Sequence, residues 1–171
     1  MKSRNFIIIL LAVSVFFATS FVLAENQKGL LDKAKERRNQ VSSAVYQLLQ
    51  IADSDKSLGE QIRVIAQKQN ADHEKIEQGL EKIHNRNQFV RFFLGVNYKE
   101  VRTAEALMAQ NRARIQELEQ LKNQTKNTAE QQQLAQQIKV LQSVNNEAEK
   151  ALQESQKRFS LFGWAFKIFS N

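Results

Sequence analysis

The only histidines of the chain lie at helical spacing with two glutamates. The four residues are His73, Glu77, Glu81 and His84. Intervals of four, four and three residues place them on one side of a helix, and the run 81–84 has the Glu-x-x-His form found in di-iron bundles. Such a centre needs a second Glu-x-x-His, which the sequence lacks. The sequence therefore favours solvated surface residues here, with a metal- or ligand-binding helical bundle as the alternative function.

The other familiar catalytic arrangements are missing from the sequence. With no cysteine, thiol catalysis, disulfides and a lipidated cysteine are excluded. No glycine-rich loop that could hold a phosphate is present, and no histidine remains for a Ser/His/Asp triad. We therefore expect a protein that is not an enzyme and needs no cofactor.

The composition and periodicity of the chain predict long helices. The 171 residues include no proline and only five glycines, so nothing interrupts a helical hydrogen-bond ladder. Apolar residues recur every three or four positions. We expect helices over about 28–52, 58–94 and 98–122, and a fourth from about 129 onward. Short loops favour antiparallel neighbours, which predicts an all-α, elongated, antiparallel coiled-coil-like bundle of about four helices.

Each predicted helix has a seam of residues that should face the core. The first reads Leu31, Ala34, Arg38, Val41, Val45, Leu48, Ala52; the third reads Val101, Ala104, Met108, Asn111, Ile115, Leu118; the fourth reads Leu134, Ile138, Leu141, Asn145, Ala148, Leu152, Ser155. The second helix is apolar at both ends but has Gln69 and Asp72 in its middle. The seam asparagines Asn87, Asn111 and Asn145 are either tolerated at half-exposed positions or pair across helices and fix the register.

Three helix starts carry capping signatures. Ser57 and Thr128 each begin a capping box, and Asn97 follows Gly95 as an asparagine cap. Gly59 and Gly79 lie inside the second helix, where Gly79 would permit close approach of a neighbouring helix.

The first 24 residues resemble an export signal. Lys2 and Arg4 precede an apolar run, and residues 22–24 are typical of a cleavage site. Cleavage after Ala24 gives an exported protein that is secreted, periplasmic or associated with the cell envelope. The alternative is an uncleaved signal anchor, because residues 6–24 are just long enough to span a bilayer.

The C-terminal tail, residues 159–171, is rich in aromatic side chains. We expect contacts from Phe159, Leu161, Phe162, Trp164, Phe166 and Phe169. Three occupants remain open: the Phe89–Tyr98 turn of the same chain, a membrane surface, and a partner groove or second copy. If the third and fourth helices pair from their shared loop, the start of the third lies opposite Glu154. About fifteen residues of the fourth helix then extend beyond it.

The charge pattern gives little support for a nucleic-acid partner. The net charge is +7, but lysine and arginine alternate with glutamate, and the aromatic residues are not interleaved with basic ones. The polar seams are compatible with a homo-oligomer. The predicted domains are thus a signal segment 1–24, a helical region 25–158 and the tail.

Three segments carry a resemblance to a known group of proteins. They are 59–67 (GEQIRVIAQ), 93–98 (FLGVNY) and 160–164 (SLFGW). Together they resemble uncharacterised exported helical proteins of bacteria, a group with no known activity. The resemblance implies a helical fold and export, and it transfers no functional residue. The leading hypothesis is a non-enzymatic exported scaffold, spacer or interaction module that docks through its aromatic tail.

Overall fold

The computed structural model describes residues 29–86 and 97–169, with side chains as far as residue 156. Every regular element in these ranges is an α-helix. The helices are α1 (29–54), α2 (Gly59–His84), α3 (Tyr98–Gln124) and α4 (Thr128–Phe169). The chain divides into two units, 1–35 and 36–171. The described residues 29–35 of the first are helical, and the second contains the packed core.

The predicted helices are confirmed, with one large change in length. Helix α2 ends at His84, whereas the sequence pattern predicted an end ten residues later, near Leu94. The amide of Asn85 still donates to Glu81 O at 2.8 Å, which closes the last turn. The connection to α3 therefore spans residues 85–97, and its positions 87–96 lie outside the described residues.

The seams of α3 and α4 are buried at every predicted position up to Ser155. Their intervals alternate between three and four residues, so the apolar side chains stay on one face. Prediction for α1 was less accurate. Leu31 is 49% exposed, and the buried arginine of this helix is Arg37 instead of its neighbour Arg38.

The apolar core consists of two clusters. Cluster 1 draws on all four helices and contains Val41, Ala44, Val45, Leu48, Ile51, Ala52, Ile62, Ile65, Ala66, Ile115, Leu118, Leu121, Leu134, Ile138, Leu141 and Val144. Cluster 2 contains Ile76, Leu80, Ile83, Val101, Ala104, Met108, Ala148 and Leu152. Along α2, α3 and α4, buried polar residues interrupt the apolar series between the two clusters.

Helices α3 and α4 run antiparallel and meet through polar contacts at regular intervals. Three pairs join the helices: Glu105 with Gln156, Arg112 with Glu149, and Glu119 with Gln142. Successive pairs are seven residues apart on both helices. Because Gln156 lies opposite Glu105, the same register would bring residue 163, not the expected Glu154, opposite Tyr98. The predicted extension of α4 beyond α3 is therefore shorter than fifteen residues.

The helix starts are capped differently from the prediction. Asp55, and not Ser57, organises the α1–α2 turn: its Oδ1 accepts from Ser57 N at 2.8 Å and Leu58 N at 3.0 Å. These bonds, led by that from Leu58, lower the pKa of Asp55. Asn97 occupies the N-cap of α3 without a side-chain cap bond.

Helix α4 is also capped one residue away from the predicted position. The side chain of Asn127, and not that of Thr128, accepts from Ala129 N at 2.9 Å. The Nε2 of Gln131 donates to Thr125 O at 2.5 Å, so it does not reach back in the manner of a capping box.

The two glycines of α2 have opposite surroundings. A Cβ at Gly59 would lie 2.0 Å from the backbone oxygen of Ala52, so this glycine allows α2 to begin close against α1. A Cβ at Gly79 would meet only Glu100 Oε2, at 3.8 Å. The close approach predicted at Gly79 is thus found at Gly59.

Several predicted features lie outside the described residues. They are the signal segment 1–24, Asn87, the phenylalanines of the 87–96 connection, and the tail side chains Phe159, Leu161, Phe162, Trp164, Phe166 and Phe169. The backbone of α4 does continue as helix through these tail positions to Phe169. Among the described helices, none is both long enough and apolar enough to cross a bilayer.

Candidate functional site: a buried polar layer

Charged and amide side chains collect between the two apolar clusters. This polar layer, as we name it, consists of Arg37, Gln69, Asp72, His73, Glu77, Asn111, Arg114 and Asn145. All are buried except Arg114, whose side chain is 13% exposed. Buried charges are rare in proteins unless they are paired and hydrogen-bonded. The layer is therefore the most unusual chemistry in the described part of the chain.

The centre of the layer is a fork-shaped ion pair between α1 and α2. Arg37 Nε donates to Glu77 Oε1 at 2.6 Å, and an Arg37 terminal nitrogen donates to Oε2 at 2.7 Å. The Glu77 side chain is fully buried and that of Arg37 is 5% exposed. A guanidinium fits both oxygens of a carboxylate at once. The pair leaves neither oxygen of Glu77 without a donor.

His73 lies beside this pair, one helical turn before Glu77. Its Nε2 is 3.4 Å from Glu77 Oε1, and this nitrogen has no hydrogen-bond partner. Burial lowers the pKa of His73 to about 4, and the positive charges of Arg37 and Arg38 act in the same direction. The imidazole is therefore neutral at pH 7, and its protonation would place another cation beside a buried guanidinium.

A second ion pair joins α2 to α3. One terminal nitrogen of Arg114 donates to Asp72 Oδ2 at 2.5 Å, and the other donates to Asn111 Oδ1 at 2.7 Å. Lys75 lies 3.5 Å from the other oxygen of Asp72. Asn111 thus holds the guanidinium from its own helix while Asp72 holds it from across the interface.

On α4, the seam asparagine Asn145 bonds within its own helix. Its Nδ2 donates to Glu149 Oε1 at 2.9 Å, and the same oxygen accepts from Arg112 of α3. Asn111 and Asn145 are 2% and 4% exposed, so the expectation of half-exposed positions is wrong. The expected pairing across helices is also wrong for these two residues, because each side chain bonds to a charged group of its own helix. The charged group, Arg114 or Glu149, then bonds to a neighbouring helix.

Some buried polar atoms of the layer lack partners. Gln69 Oε1 and Asn145 Oδ1 accept no hydrogen bond from the described residues. Leaving a buried polar group unpaired costs about 1–3 kcal/mol. The layer is therefore not optimised for stability alone.

The structure separates the four residues whose spacing suggested a metal site. His73 and Glu77 are buried, whereas Glu81 and His84 are half-buried, so the prediction of solvated surface residues is wrong for the first two. Arg38 binds Glu81 at 2.8 Å. Within the part of the chain that is described, no three His, Cys, Asp or Glu side chains are grouped so that they could hold a metal ion.

Sequence reasoning missed the ion pairs of the layer, although a signal was present. The buried α1 series 41, 44, 48 and 51 extends back by four residues to Arg37, and the α2 series 62 and 65 extends forward to Gln69 and Asp72. Strict heptad spacing would therefore have placed these polar residues in the core. The sequence analysis instead treated Gln69 and Asp72 only as an interruption of the apolar pattern in the second helix.

Comparison with known proteins does not extend these observations. No family model matches the chain, no curated protein matches it, and no solved structure matches it.

Proposed function

We propose that the chain is an exported, non-enzymatic helical scaffold or spacer that docks through its aromatic tail. The docking surface is a membrane surface or a protein partner. The observation that carries the proposal is the continuity of α4, which remains one helix from Thr128 to Phe169.

The continuity of α4 gives the tail a firm attachment. Residues 134–155 of this helix hold its core face against the other helices. A continuous helix transmits this anchoring to the tail, and the fourteen residues that follow Ser155, up to Phe169, rise about 21 Å. By the register of α3 and α4, about six of these residues extend beyond the start of α3. Aromatic and aliphatic residues on most of the circumference suit a helix that lies at an apolar surface. A rigid arm of this kind is suited to holding a bundle at an interface.

The interior chemistry favours a structural role over catalysis. The buried carboxylates Glu77 and Asp72 are each held by a guanidinium. A catalytic acid or base needs access to substrate, whereas these groups are enclosed between helices. Contacts that repeat every seven residues along α3 and α4 support a coiled-coil-like packing, which would suit a spacer or assembly module.

The membrane form of the proposal is tested by vesicle co-sedimentation. Residues 25–171 should sediment with vesicles of mixed neutral and anionic lipids, and residues 25–158 should stay in the supernatant. Tyr46→Ala is a matched control, because Tyr46 is an aromatic side chain on α1 that is 60% exposed. This control should bind like the wild type. Equal partitioning of the full and truncated chains would contradict docking on membranes.

Light scattering separates docking from self-association. A monomer at all concentrations, with and without the tail, agrees with docking onto a membrane or another protein. A full-length oligomer that becomes monomeric on removal of 159–171 would instead assign the tail to a contact between copies.

The alternative of a metal- or ligand-binding bundle is tested by titration with Zn²⁺. A metal at His73 would have to displace Arg37 from Glu77, so we expect no rise in the melting temperature. A rise that His84→Ala abolishes would support the alternative instead.

A further inference from the structure

We infer that the Asp72–Arg114 pair selects the register in which the α1–α2 hairpin docks against the α3–α4 hairpin. The pair lies at the α2–α3 interface and connects the two hairpins directly. This role is independent of what the protein binds.

The apolar seams alone do not distinguish one register from the next. The buried positions of α3 follow intervals of three and four residues. The wider buried face of α2 contains a row with the same intervals, at positions 59, 62, 66, 69, 73, 76, 80 and 83. Sliding one hairpin by seven residues therefore brings seam against seam again. Such a slide moves the helices by roughly 10 Å.

The two hairpins are joined to each other by a longer segment than the helices within each hairpin. Helix α2 ends at His84 and α3 begins at Tyr98, so residues 85–97 join them. By contrast, residues 55–58 and 125–127 join the other neighbouring helices through short, capped turns.

The charges do distinguish the registers. In the observed register Asp72 meets Arg114. A slide by seven residues in either direction would place Asp72 opposite Leu107 or Leu121 instead. The carboxylate of Asp72 and the guanidinium of Arg114 would then both be buried without their partner, and leaving one charge of a buried pair unpaired is strongly destabilising.

The surroundings of the pair strengthen this selectivity. Asn111 Oδ1 accepts from Arg114 at 2.7 Å and orients the guanidinium toward α2. Charged residues also discriminate between registers inside the α3–α4 hairpin. A seven-residue slide there would bring Glu149 opposite Glu105 or Glu119 in place of Arg112. Charges thus oppose sliding at both interfaces.

The test measures register directly with spin labels. The chain has no cysteine, so labels attach only at introduced sites. Lys68→Cys on α2 and Ala109→Cys on α3 are exposed positions offset along the helix axis. When Asp72 and Arg114 are both present, pulsed electron paramagnetic resonance should give a single distance between the two labels. Replacement of the pair by Asp72→Leu with Arg114→Leu should give a second distance population while the helices remain folded.

A second variant moves the cation by one heptad. Leu107 is half-buried on the same side of α3 as Arg114. Leu107→Arg combined with Arg114→Leu should shift the dominant distance to a shorter value, because the axial offset of the labels falls by roughly 10 Å.

The label distances in the two variants show whether the Asp72–Arg114 pair selects the register. A single unchanged distance in both variants would overturn it, because register would then be set by something other than this pair. Failure of both variants to fold would also overturn it, since the pair would then be required for folding itself. A mixed register in the apolar variant, or a shifted one in the transplanted variant, supports it.

Discussion

Cluster 1 and the polar layer occupy neighbouring levels of the same helices but are held together differently. Cluster 1 is formed by sixteen apolar residues, and close packing with burial of apolar surface explains its stability. The polar layer is held by two ion pairs and their hydrogen bonds, and it leaves some polar atoms unpaired. Burial of apolar surface is non-directional, whereas an ion pair requires particular partners. We therefore expect cluster 1 to supply most of the stability, and the layer to restrict how the helices can pair.

The largest effect is expected when one charge of the layer loses its partner. Glu77→Leu leaves the Arg37 guanidinium buried beside apolar atoms and should lower the free energy of unfolding by about 3–5 kcal/mol. Urea denaturation at pH 7 measures this change. Leu118→Ala, in cluster 1, is the apolar reference and should cost about 2–5 kcal/mol through its cavity. A loss below about 1 kcal/mol for Glu77→Leu would contradict the buried pair.

Whether the sequence predicts that a side chain is buried depends on whether that side chain is apolar or polar. Heptad spacing identified the buried faces of α3 and α4 because an apolar side chain at a seam position has only one favourable environment. The prediction missed Arg37, Asp72 and Glu77, although the spacing of the first two continues the buried series. A charged side chain is stable in the core only where a partner meets it, as Glu77 meets Arg37 and Arg114 meets Asp72. That partner depends on the relative register of the helices, which the sequence of a single helix does not contain. The ends of α2 and the caps also depended on local alternatives such as Asp55, which the pattern did not distinguish from Ser57.

Acidification should weaken the polar layer through His73. The pKa of this residue is about 4 in the folded chain and 6.5 as its ordinary value. The unfolded chain binds more protons between these limits, so the free energy of unfolding falls as the pH drops from 6.5 to 4, by about 3 kcal/mol in total. Comparing denaturation curves of the wild type and His73→Gln over this range isolates the effect.

The second histidine provides the control for this pH dependence. His84→Gln is the matched histidine substitution, because His84 lies outside the polar layer and is half-buried. Parallel profiles for the wild type and His73→Gln would show that His73 is not held neutral by the layer.

Alanine substitutions at the two glycines of α2 compare the packing beside cluster 1 with the packing farther along the helix. Gly59→Ala forces a methyl group against the Ala52 carbonyl and should cost about 1–3 kcal/mol. Gly79→Ala meets no obstacle and should stabilise by about 0.5–1 kcal/mol, since alanine loses less backbone entropy. Thermal melts of both variants give the comparison. Equal effects of the same sign would contradict the close approach at Gly59.

The smallest effect is expected for an exposed ion pair. Arg63 binds Asp53 at 2.5 Å, but the Asp53 side chain is 71% exposed. Water solvates both groups when the pair is broken. Asp53→Ala should therefore leave the urea denaturation midpoint close to that of the wild type. A loss as large as that of Glu77→Leu would remove the distinction between buried and exposed pairs.

The most direct test of the central claim is a double-mutant cycle on Arg37 and Glu77. Urea denaturation gives the free energy of unfolding for the wild type, Arg37→Met, Glu77→Leu and the double variant. The account predicts that each single change is strongly destabilising, and that the double variant returns to wild-type stability or above it, because apolar side chains then fill the layer. Single changes that are small, or that simply add in the double variant, would contradict a buried pair at the centre of the polar layer.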